Sequence, residues 1–214
     1  MKDRKEKMSE SAGRTQRSIR CFIAVCLPPS VNRWFRQYQA GLKKESGIRA
    51  SWPKPDPLHI TLKFLGEIPP EQIPHIQAGM VRAVEQICPG SIELNCSGLG
   101  VFPSVKKARV LWAGILGNTD ILENLAKELE QQLHVQLGIK REKRRFSPHL
   151  TLARVKGNVH PKKIIGLMRK FEDTHSDSFQ VSEINLFKSE LHASGARHDK
   201  IFSVSFKNEQ DCWM

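Results

Sequence analysis

Residues 58–67 read LHITLKFLGE and residues 147–154 read SPHLTLAR. Each stretch carries a histidine, an aliphatic residue, a threonine and a leucine in succession: His59-Ile60-Thr61-Leu62 and His149-Leu150-Thr151-Leu152. In a β-strand successive side chains alternate between faces, so His and Thr share one face and Ile or Leu the other. The aliphatic face suits a core, which leaves His and Thr to line a groove. One such tetrapeptide says little, because most strand histidines serve packing. Two of them, 90 residues apart, call for a repeat around them.

Working outward, the same order of elements recurs. Arg20–Leu27 reads as a buried strand, and Pro28–Lys44 has helical spacing at Val31, Trp34, Phe35, Tyr38 and Leu42. After a loop with prolines comes the first His-x-Thr strand, Leu58–Leu65, and then a helix from Pro69 or Pro70 to Ile87. A strand near Ser91–Ser97 closes this half, and Gly98–Pro103 leads to a hairpin partner. The second half begins with the strand Arg109–Ile115, 88 residues after Cys21. A helix from Asn118 or Thr119 to Leu137 follows, stopped by Gly138. Then come the strand His149–Val155, a helix over Pro161–Phe171, and a strand over Phe179–Phe187 with a hairpin partner at Lys200–Phe206. The order predicts an α+β fold of two pseudo-symmetric lobes from an internal duplication. Antiparallel-rich sheets carry outer helices, and a central cleft holds both H-x-T-x motifs.

Composition bounds the rest. The chain has 214 residues, 39% of them apolar, with 34 Lys plus Arg against 22 Asp plus Glu and a net charge of +12. A largely disordered chain is not expected, and such an excess attracts polyanions. Residues 1–19 read as a disordered basic tail, because they hold too few apolar side chains to offset the entropy of ordering. The folded domain is expected over 20–207 and a C-terminal tail over 208–214. The run KREKRR at 140–145 adds five cations and one glutamate just before His149.

The longest apolar stretches, Phe22–Leu27 and Val110–Leu116, fall far short of the ~20 residues that span a bilayer, so no membrane partner is expected. FIAVCL is also too short for a signal peptide and runs into Pro28-Pro29. Five cysteines without C-x-x-C spacing point to neither a disulfide framework nor a zinc site, and a cytoplasmic location follows as the expectation. His75, His134, His160, His175, His192 and His198 are scattered, mostly over predicted helices and loops, with no metal-ligand spacing. Asp56 lies near His59 but reads as a solvated loop carboxylate.

Two imidazoles and two hydroxyls around one small volume suit phosphodiester cleavage. One histidine can be neutral and accept a proton while the other is charged and donates one. Threonine hydroxyls can donate to non-bridging phosphate oxygens. Arg154 is the natural cation for the same phosphoryl group, although strict alternation puts it on the face opposite Thr151, so the assignment requires a bulge or a strand end. Phe146, with Arg144 and Arg145 beside it, is the candidate contact for RNA. Phe22 and Trp52 rank lower as stacking surfaces, and SVKKAR at 104–109 is a further basic turn.

LHITLKFLGE, SPHLTLAR and the opening strand CFIAVCLP together resemble the two-histidine phosphoesterase superfamily, and within it the RNA 2′,3′-cyclic phosphodiesterases once labelled 2′-5′ RNA ligases. The resemblance spans roughly residues 20–206, and neither tetrapeptide departs from the H-x-T-x pattern. It implies hydrolysis of a 2′,3′-cyclic phosphate at an RNA end to a 2′-phosphomonoester, without a metal or other cofactor. By the same resemblance His59 is the proton donor and His149 the proton acceptor, an order that the residues alone leave open. Thr61, Thr151 and Arg154 become phosphate contacts. A monomer with RNA as its partner is expected. The alternatives are 2′-5′ ligation by the reverse reaction, a phosphodiesterase for a small nucleotide, and a non-catalytic RNA-binding module. The last would have no use for two titratable imidazoles.

Overall fold

The structure of the chain, a computed structural model, describes residues 18–54, 57–192 and 195–207. Most of the expected N-terminal tail, all of the expected C-terminal tail, and Asp56 lie outside the described residues. The first repeat comprises β1 (Ile19–Cys26), α1 (Ser30–Ser46), β3 (His59–Ile68), α2 (Ile73–Ile87) and β4 (Ile92–Phe102), with a two-residue β2 (Ala50–Ser51) between α1 and β3. The second comprises β5 (Val110–Gly117), α3 (Thr119–Leu137), β6 (His149–Val155), α4 (Pro161–Lys170) and β8 (Glu183–His192). β7 (Phe179–Val181) precedes β8, and β9 (Gly195–Ser205) completes the final hairpin.

The helices follow from their spacing. Val31, Phe35, Tyr38 and Leu42 bury one stripe of α1, and Leu122, Leu125, Leu129 and Leu133 one stripe of α3. Both helices end where a glycine takes the left-handed conformation, Gly47 at φ +52° and Gly138 at φ +65°. Pro161 opens α4, and the His160 ring accepts a hydrogen bond from the Lys162 amide, so this histidine is a helix cap.

Every strand pairing is antiparallel, in two sheets of order β3-β1-β8-β9 and β2-β6-β5-β4-β7. The α+β class and the duplication hold, but the lobes are not the two repeats. The third strand of each repeat crosses over: β4 pairs with β5, and β8 pairs with β1. The helices divide likewise, α2 with α3 beside the first sheet and α1 with α4 beside the second. One large core cluster takes in buried residues of both repeats. The strand expected over Phe179–Phe187 is two strands. It breaks at Ser182, where the chain leaves the second sheet for the first.

Cys21 and Cys96 are buried free thiols, pushed up to about 11 and about 12 chiefly by burial. Cys88, just after α2 at φ +43°, is disulfide-bonded, a bond that the spacing of the cysteines did not predict. No helix among the described residues is long and apolar enough to cross a membrane.

Candidate active site

β3 and β6 carry the two motifs, and each has an extra residue after its threonine. Along β1, Ala24 faces Thr61 and Ile23 faces Lys63, so Leu62 has no partner. Along β5, Trp112 faces Thr151 and Leu111 faces Ala153, so Leu152 has none. These β-bulges let two consecutive side chains enter the interior and return the next one to the cleft face. Arg154 thereby joins His149 and Thr151, which supplies the irregularity that its assignment required. In β3 the equivalent residue is Phe64, 90 positions earlier and exposed. The same bulge drives Lys63 inward, where its ammonium donates to the Glu130 carboxylate (2.7 Å) and the Lys140 carbonyl (2.8 Å).

One recess of about 350 Å³ gathers His59, Thr61, His149, Thr151 and Arg154. Each catalytic-candidate histidine is held in the same way. His59 Nδ1 lies 3.0 Å from the Pro57 carbonyl oxygen, and His149 Nδ1 lies 2.7 Å from that of Ser147. A carbonyl only accepts, so Nδ1 carries the proton and Nε2 is left for chemistry in the cleft. Aromatic rings back both imidazoles. Phe22 lies 5.0 Å from His59 between ring centres, and Phe102 lies 4.9 Å from His149 with Trp112 beyond it at 6.0 Å. Phe22 is buried against His59, Phe64 and Phe187, so it is a packing residue.

Burial holds both imidazoles below the usual histidine range, because a low-dielectric surrounding disfavours the cation. The Pro57 and Ser147 carbonyls oppose this, while His198 beside His59 and Arg154 beside His149 add to it. His198 is the residue that the sequence most under-read. It lies in β9, packs edge to face on His59 at 5.3 Å, and has a buried Nδ1 with no hydrogen-bond partner among the described residues. Its own titration is also lowered by burial.

A second recess, about 440 Å³, adjoins the first and shares Thr61, Phe64 and His149 with it. Phe146, Arg144 and Arg145 line it together with Phe102. The 140–145 run is not a free rim. Arg145 pairs with Glu123 of α3 (3.0 Å), Arg141 donates to Gln131, and the Glu142 amide donates to Glu130 (2.8 Å). Arg144 has no ion pair among the described residues. Trp52 packs partly buried on the core, and the basic turn before β5 is a short 3-10 helix, Val105–Lys107. Among the described residues, no three His, Cys, Asp or Glu side chains gather around a common point that suits a metal ion.

Two bulged His-x-Thr strands meeting in one recess define a two-histidine phosphoesterase site. The chain matches the LigT like Phosphoesterase family over residues 25–112 and 117–198, and it belongs to that family. A relative from Aquifex aeolicus, named RNA 2′,3′-cyclic phosphodiesterase, is 32% identical over 180 residues, covering 83% of this chain and 92% of its own. One of the same name from Methanocaldococcus jannaschii is 32% identical over 183 residues, covering 86% and 98%. Among solved structures, TT0787 of Thermus thermophilus superposes with a TM-score of 0.71 at 26% identity, covering 89% of this chain and all of that one. LigT of E. coli shares the fold, with a TM-score of 0.69 at 23% identity, covering 88% and 98%.

Proposed function

We propose that the protein hydrolyses the 2′,3′-cyclic phosphodiester at the end of an RNA to a 2′-phosphomonoester. The observation that carries this reading is that both His-Thr pairs and Arg154 line one recess, each imidazole offering Nε2. The names of the A. aeolicus and M. jannaschii relatives support the substrate. Neutral His149 takes a proton from water as its oxygen attacks phosphorus. The bond from phosphorus to the 3′ oxygen breaks, and protonated His59 supplies the proton that this oxygen needs to leave as a hydroxyl. Thr61, Thr151 and Arg154 hold the non-bridging oxygens, where negative charge is greatest. No step calls for a metal. Phe146 offers a face for a base in the second recess, with Arg144 and Arg145 along its edge.

The test is an oligonucleotide ending in a 2′,3′-cyclic phosphate, incubated with and without a chelator, with the product isomer identified. A 2′-phosphate formed equally in both is expected. A 3′-phosphate would reassign the leaving oxygen, and no reaction would leave the RNA-binding module. His59→Ala and His149→Ala should each lower turnover by about 10²-fold or more, the usual scale for a general acid or base, with the melting temperature little changed. Near-normal turnover in either variant would remove that histidine from the mechanism.

A further inference from the structure

The catalytic recess has two flanks of different electrostatic character, one basic and one of mixed charge. On the side of β1 and the chain before β3 it is lined by Arg20 and Lys54, and its described lining residues include no carboxylate. On the other side, the recess that shares Thr61, Phe64 and His149 is lined by Glu123, Glu130 and Glu142 as well as by its cations. There Glu123 holds Arg145, and Glu130 holds the buried Lys63. A polyanion meets positive charge without carboxylates on the first flank, whereas on the second Lys127, Arg144 and Arg145 stand among three carboxylates.

Arg20 and Lys54 are exposed, and neither makes an ion pair among the described residues. Arg20 stands two residues before Phe22, whose ring packs on His59, so the alternation of β1 turns both toward the cleft. Glu67 is its neighbour in register on β3, but that carboxylate instead accepts a hydrogen bond from the Ser18 hydroxyl (3.3 Å). Two unpaired cations on the wall of a site for a monoanionic cyclic phosphate exceed what that phosphate needs once Arg154 serves it. Each further nucleotide on the 5′ side of the reactive end adds one phosphodiester charge.

We infer that Arg20 and Lys54 form a subsite for the backbone phosphate next to the reactive nucleotide, which directs the RNA strand out of the cleft along β1 and favours oligonucleotide ends over cyclic mononucleotides. The inference rests on the hydrolysis proposed above and deepens it by fixing the substrate class and the path of the strand. Of the cations of 140–145, Arg141 and Arg145 are tied to α3, and Arg144 and Arg145 line the other recess beside Glu123, Glu130 and Glu142.

The test compares kcat/KM for a short oligonucleotide ending in a 2′,3′-cyclic phosphate with that for the matching nucleoside 2′,3′-cyclic phosphate. It uses the full chain and an Arg20→Gln/Lys54→Gln double variant of it. The unaltered protein should prefer the oligonucleotide, and the preference should shrink as salt rises. In the double variant the ratio should fall on the order of tenfold, the size of a charge-assisted contact, and the loss should appear in KM for the oligonucleotide. An unaltered protein with no preference, or a double variant with the same ratio, overturns the subsite. If the unaltered protein cleaves neither substrate, the hydrolysis reading fails and the subsite with it. Cleavage of both with no dependence on Arg20 and Lys54 overturns the subsite alone.

Discussion

At His59 and His149, tautomer and charge are set by different neighbours: a backbone carbonyl fixes which nitrogen carries the proton, and burial sets how readily a second proton is taken up. Both imidazoles lie below the ordinary 6.5, so in the free enzyme each is mostly neutral at pH 7. The proposed mechanism needs one charged and one neutral, so kcat/KM should trace a bell on the acid side of 6.5 and fall as pH rises through neutrality. A plateau extending to pH 8 would contradict it. His198→Asn removes a positive neighbour that lowers His59, so one limb of the bell should move to higher pH while the other stays. If neither limb moves, the two rings do not interact. The four His and Thr positions were legible because alternation by two is a local pattern. Phe64 was within reach as well, since the 90-residue offset that links the histidines also links it to Arg154. His198 was not, because its contact with His59 joins strands 139 residues apart and leaves no local trace.

At the level of elements, the bulges decide what each strand presents, and each is braced by the first helix of the other repeat. Gln39 of α1 donates to the Leu152 carbonyl in the bulge of β6 (2.7 Å), while Glu130 of α3 accepts from Lys63 in the bulge of β3. Lys63 is 2% exposed, so removing its ammonium strands a partly buried carboxylate and frees the Lys140 carbonyl. Lys63→Ala should therefore destabilise the fold by about 3 kcal/mol, the low end for breaking a buried pair, read from urea unfolding. A cost below about 1 kcal/mol would mean that the network bears little weight. Gly100→Ala is a second probe, because its Cβ would lie 2.2 Å from the Trp112 ring that neighbours His149. Overpacking of this kind costs about 1–3 kcal/mol and should lower turnover as the ring shifts. Most helix and strand positions could be read from periodicity. The break at Ser182 left a trace that a single-strand reading passed over: the apolar positions change phase there, from Phe179 and Val181 to Ile184 and Leu186.

For the molecule as a whole, the charge excess resolves into parts with different surroundings: cations tied to carboxylates on α3, and unpaired cations on the cleft wall. Residues 1–17 carry part of the excess but lie outside the described fold, and a chain starting at Ser18 should keep its turnover on a cyclic-phosphate oligonucleotide. Loss of turnover in that chain would give the segment a catalytic part. The crossing of β4 and β8 has a consequence for how the chain can be divided. A cut in the turn at 105–107 would leave one fragment with β1, β3 and β4 and another with β5, β6 and β8, each holding edges whose partners belong to the other. Neither fragment should show native circular dichroism alone, whereas mixing them should restore both the spectrum and hydrolysis, as a heterodimer whose assembly depends on concentration. Either piece folding by itself would show that the exchanged strands are dispensable. The duplication thus made two copies that are obligate partners, each finishing the other's sheet.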